Sequence, residues 1–225
     1  MPISIAQMLV DRGGPFDAVP ELVHAGFSAT ERYLGIDAVN DITGAPVDTL
    51  ALQRNFWYMF GYLPLAEAYV HLQQSTSADD ALSQATLRLH AIQPGVNASS
   101  DSKARYADLA AQFWFVHGLY AEKKGRKMDA LMDYRNALAF YPARRPQPDR
   151  REEVWASAER LWKELGGTPQ GWNDWAAQSS LVGFYGGSGG SAAWSRLAES
   201  SPDLTFTDAL GNRWNHASSR KERRS

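Results

Sequence analysis

Apolar positions recur at helical spacing along most of the chain, and turn residues cut the pattern into segments of helix length. Ile3 to Val10 predicts a short amphipathic helix, and Asp11 to Pro15 a Gly-containing turn. Pro20 suits the first turn of a helix running to Leu34, with Leu22, Val23, Phe27 and Tyr33 roughly on one face. After a loop from Asp41 to Pro46, a long apolar pattern runs from Val47 to Gln73 through Phe56, Trp57, Phe60, Leu63, Ala66 and Tyr69. Gly61 and Pro64 inside it predict a kink or a split. Ser77 with Asp80 reads as a capping box opening a helix to Ile92, closed by Pro94-Gly95. Asn97 to Ser102 reads as a polar connector. Pro146-Gln147-Pro148 reads as a hinge before a helix from Asp149 to Leu165 that ends at Gly166-Gly167.

The stretch from Ala111 to Arg144 carries a finer pattern: Trp114, Gly118, Gly125, Ala130, Tyr134, Ala137 and Pro142. This spacing resembles a tetratricopeptide repeat (TPR), two antiparallel helices in about 34 residues with small residues where the helices touch. Gly118 and Ala130 leave room for close approach, Trp114 and Tyr134 fill the gap, and Pro142 ends the second helix. His117 stands where Leu is usual, and Ala121 where Tyr is usual. Leu63 to Pro94 has the length of a second, eroded pair with its small residues out of register. One repeat cannot bury its own apolar face, so the flanking helices are expected to complete the stack. The expected fold is all-α, an irregular antiparallel helix-hairpin array of α-solenoid type.

Composition narrows the function. The chain has 225 residues, 44% hydrophobic and 21% charged, ordinary for a globular protein. A net charge of −2 gives no reason to expect nucleic acid or an anionic membrane as partner. No apolar run approaches the ~20 residues that span a bilayer. The start, MPISIAQMLVDRGG, has neither the basic nor the apolar region of a signal peptide, so a cytoplasmic location is expected as the sequence is written. There is no cysteine, which excludes disulfides, thiolate nucleophiles and Cys-ligated metals for these residues.

Beyond Ala177 the chain changes character. Gly183 to Ser191, GFYGGSGGS, has the composition of a flexible linker and lacks the Lys that a phosphate-cradling loop would need. Leu204 and Phe206 alternate with Thr205 and Thr207, and Leu210-Gly211-Asn212 turns the chain toward Trp214, predicting a short β-hairpin.

Pro202-Asp203-Leu204-Thr205-Phe206-Thr207-Asp208, with Gly211 and Trp214, resembles the entry hairpin of TlpA-like redoxins, which are thiol–disulfide oxidoreductases. Leu161 to Thr168, followed by Gly171, Trp172 and Trp175, looks like the closing helix of the helical region that some bacterial redoxins carry before their thioredoxin fold. The resemblance implies an exported protein whose helical domain serves a redox domain. It departs at the site: after Trp214 come Asn215 to Ser225, with no Cys-x-x-Cys pair, so no catalytic residue carries over. The expected organisation is a helical domain at 1–178, a linker at 179–201, and a truncated redoxin-entry hairpin with a basic tail at 202–225.

Other candidates for chemistry read as structure. His24, His71, His90, His117 and His216 never take the spacing that puts two metal ligands on one helix face. His117, on an otherwise apolar face, reads as a satisfied core or boundary histidine. Asp79-Asp80 and Glu152-Glu153 fall in predicted first helical turns, where they complement the dipole. Asn97-Ala98-Ser99 matches a glycosylation sequon, and Arg220 to Arg224 reads as a solvated charged end. A receptor for peptide C-termini would need Asn, Lys and Arg along the first repeat helix, which instead offers Phe115, Leu119, Glu122 and Lys123. The expected function is a non-catalytic interaction or scaffold domain. No enzyme activity, cofactor or metal is expected, and the expected partner is another protein or peptide. The competing reading is a thiol–disulfide oxidoreductase whose catalytic domain lies outside this chain.

Overall fold

The computed structural model describes residues 2–34, 47–95, 98–141, 150–175, 205–207 and 213–215, and most of them are helical. The chain divides into two compact units, Met1–Asp133 and Tyr134–Ser225.

The first unit holds α1 (Pro2–Asp11), a 3-10 turn (Phe16–Ala18), α2 (Val19–Leu34), α3 (Val47–His71), α4 (Ser75–Ala91) and α5 (Ser100–Lys123). Each outer helix turns one stripe inward: Ile3, Ala6 and Val10 on α1, and Val19, Val23 and Thr30 on α2. Two glycines set how closely these helices approach. A Cβ on Gly26 would collide with Ile3, and one on Gly61 would collide with the Phe27 ring, so α1 seats on α2 and α2 on α3 only because both side chains are missing. Helix α3 touches α1, α2, α4 and α5, and from Leu63 to Ala68 it is buried on every side. That stretch is apolar apart from the buried Glu67 and shows no stripe, which is why the sequence reads as one long apolar pattern.

Pro64 lies inside α3, fully buried, and the helix runs on through it. Of the expected kink or split at Gly61 and Pro64, the split does not occur. A mid-helix proline costs about 3 kcal/mol, and packing around this segment outweighs that cost. Tyr33, expected on the inward face of α2, is 81% exposed. The buried stripe runs through Val23, Gly26 and Thr30 and stops one turn short of Tyr33, with the Thr30 hydroxyl donating to the Gly26 carbonyl at 2.9 Å.

Two caps also differ from expectation. Helix α4 opens at Ser75, with Gln74 at the N-cap and no side-chain capping bond, so Ser77 and Asp80 form no capping box. Asp79 and Asp80 consequently fall beyond the first turn, whereas Glu152 and Glu153 do occupy the first turn of their helix. Ser99 caps α5 by accepting from the Ser102 amide, so that helix starts inside the expected connector.

Helix α6 (Lys127–Phe140) follows α5 through Gly125, whose φ of +74° closes α5 with a bond from the Arg126 amide to the Ala121 carbonyl. The unit boundary falls within α6. In the second unit, α7 (Arg151–Glu164) buries Val154, Ala158 and Leu161 and ends at Gly166, φ +83°. Residues 169–175 are helical again. Trp155, Trp162, Trp172 and Trp175 form one aromatic cluster, with Trp172 and Trp175 stacked at 5.1 Å and the Trp162 indole donating to the Thr168 carbonyl. A Cβ on Gly167 would strike the Trp162 ring, so this glycine serves packing. Arg135 stands over the Trp175 ring, and its burial lowers its pKa. Thr205–Thr207 and Arg213–Asn215 pair antiparallel, with Phe206 opposite Trp214. Pro142, the Pro146–Pro148 hinge, the Gly183–Ser191 linker, Asn97, His216 and the expected domain limits at 178 and 201 lie outside the described residues.

Candidate functional site

The residues singled out for the repeat divide by environment. Gly118, Ala130, Tyr134 and Ala137 are buried, and Gly125 occupies the turn. Trp114, expected to fill the gap between helices, is half-buried.

His117, one turn on from Trp114, meets a partner that sequence reading missed. Its Nδ1 lies 2.7 Å from Oδ2 of Asp133, joining α5 to α6. The Asp133 side chain is 10% exposed and that of His117 35%, so a nearly buried carboxylate is held by a ring that still reaches solvent. The Phe113 and Trp114 rings flank the imidazole at 5.8 and 6.0 Å. A carboxylate at Nδ1 favours the tautomer with the proton there and leaves Nε2 as the acceptor.

The ends of three helices frame an open cleft of about 310 Å³. Tyr69, Val70 and Gln73 come from the end of α3, Ser75 and Ala78 from the start of α4, and Tyr120, Lys123 and Lys124 from the end of α5. Its shape follows from a tight α3–α4 connection. The Gln74 amide bonds the Tyr69 carbonyl and the Gln73 amide bonds the Val70 carbonyl, a helix-ending motif that needs a left-handed residue. That residue is Gln73, at φ +58°, where glycine is usual. Tyr120 is 6% exposed and its phenol bonds Asp79 and Lys124. Burial, then the Asp79 bond, raises its pKa. Lys124 Nζ lies 5.2 Å from the Tyr120 ring centre, so the ring also holds the ammonium.

A third polar group ties α2, α3 and α4 together. The Tyr58 hydroxyl donates to Glu31, Arg88 lies over the Tyr58 ring, and Arg88 Nη1 donates to Asn55 at 2.9 Å. Burial and the adjacent Glu31 carboxylate push the Tyr58 phenol up to about 12. Among the described residues, no cluster of three metal-ligating side chains occurs, and no helix is long and apolar enough to cross a membrane. No family model, curated protein or solved structure matches this chain.

Proposed function

We propose that the chain is a non-catalytic helical interaction domain of the TPR-like helix-hairpin kind, binding another protein through the cleft at the ends of α3, α4 and α5. The cleft carries the reading: it is open, and its lining mixes tyrosine rings, an amide, a hydroxyl and two ammonium groups, the groups that recognise peptide. The helix pair closed at Gly125, with Gly118 and Ala130 buried, supports the repeat-like architecture. A photo-crosslinking residue at Gln73 tests it against the same residue at Arg105, which is exposed on α5 outside the cleft lining. A partner captured at Gln73 and not at Arg105 is expected, and equal capture at both sites refutes the reading.

A second reading, that the chain is the helical part of a TlpA-like redoxin whose thiol domain is missing from this chain, draws support from the pairing of Phe206 with Trp214. The reading frame downstream of Ser225 tests it: a Trp-Cys-x-x-Cys sequence supports it, and a stop codon with no such sequence refutes it.

A further inference from the structure

We infer that the cleft between α3, α4 and α5 docks an acidic segment of its partner, with side-chain carboxylates seated beside Lys123 and Lys124. This rests on the interaction-domain reading and adds the partner's chemistry. The argument is charge complementarity. Lys123 and Lys124 are the charged residues of the lining, which contains no carboxylate. Tyr69, Gln73 and Ser75 add hydroxyl and amide groups that can donate to carboxylate oxygens. Asp79, outside the lining, holds the Tyr120 phenol and offsets part of the charge of Lys124. Lys123, exposed in the last turn of α5, lines the cleft and, among the described residues, forms no ion pair with a carboxylate side chain. The site differs from a clamp along the first repeat helix, because it opens at helix ends and takes half its walls from the α3–α4 connection. A basic segment would be repelled at this rim, and a neutral one would leave the Lys123 ammonium to water.

The test is a titration of isotope-labelled full chain, read by backbone amide resonances, with hexaglutamate, hexalysine, a neutral Gly-Ser peptide of equal length, and inorganic phosphate. Hexaglutamate is expected to produce saturable shifts confined to Gln73–Ala78 and Tyr120–Gly125, weakening as salt is raised. Lys123→Ala with Lys124→Ala should weaken that binding about fivefold, as two rim charges of about 0.5 kcal/mol each imply, while Lys103→Ala should leave it unchanged. Unperturbed spectra of the variants outside the cleft show that they fold. Shifts by the neutral peptide and none by hexaglutamate would overturn the acidic assignment while leaving the interaction-domain reading intact. Shifts by phosphate alone would replace it with a small-anion site. Silence with every probe, or undiminished binding in the double variant, would also overturn it.

Discussion

The His117–Asp133 pair makes the sharpest quantitative prediction. His117→Ala strips a buried carboxylate of its ring donor at 2.7 Å and removes the ring contacts with Phe113 and Trp114. A stranded buried acceptor costs about 1–3 kcal/mol. The lost ring contacts add a few tenths to about 1 kcal/mol, because His117 is 35% exposed and packs on one side only. The single substitution should therefore cost about 2–3 kcal/mol. Asp133→Ala should cost less, about 1–2 kcal/mol, since the freed imidazole reaches water. In the double variant neither group is left alone, so the combined cost should fall below the sum by about 1–2 kcal/mol. Urea melts at neutral pH of the parent, both single variants and the double variant give this coupling. For a chain of this size 1 kcal/mol corresponds to roughly 2–4 °C in Tm, so thermal melts provide a second check. A coupling below about 0.3 kcal/mol, or His117→Ala within about 0.5 kcal/mol of the parent, would refute the reasoning that the pair links α5 to α6 energetically.

Gln73→Gly should stabilise the protein by about 0.5–1 kcal/mol, because relief of the left-handed strain exceeds the added freedom of the unfolded chain. Gly125→Ala should destabilise by about 1 kcal/mol at φ +74° although open space surrounds it; urea midpoints moving in the same direction for both would be the wrong outcome. Gly61→Ala should destabilise by about 1–3 kcal/mol through collision with Phe27, and an additional Phe27→Leu should recover part of that loss in the same melts. The raised Tyr58 pKa makes the folded state keep a proton that the unfolded chain releases, so its contribution is complete below pH ~10 and is lost as pH rises toward the folded value of about 12. Stability measured from pH ~9 upward should therefore fall more steeply for the parent than for Tyr58→Phe, and parallel curves would contradict the Glu31–Tyr58 geometry.

Local signals carried the secondary structure. The stripes of α1 and α7, the position of Pro20 in the first turn of α2, and the glycines that end α5 and α7 were all legible because each depends on residues within a turn or two. The helical class followed from those signals. Where tertiary packing competes with a local preference, reading from sequence failed. Pro64 is a helix breaker by its own chemistry, yet α3 is enclosed by four neighbours and continues through it. Gln73 takes a conformation that its side chain disfavours because the α3–α4 connection is short and the two helices pack together. Tyr33 fits the periodicity of α2 but sits in its last turn, past the point where the inward stripe is covered. The His117–Asp133 bond and the Lys-rimmed cleft join residues from separate helices, and distance in three dimensions is not written in spacing along the chain. The sequence determined which segments are helices and where most of them stop. Only the tertiary structure decided which polar side chains meet, because that depends on how the helices cross and on the two glycines that let them approach.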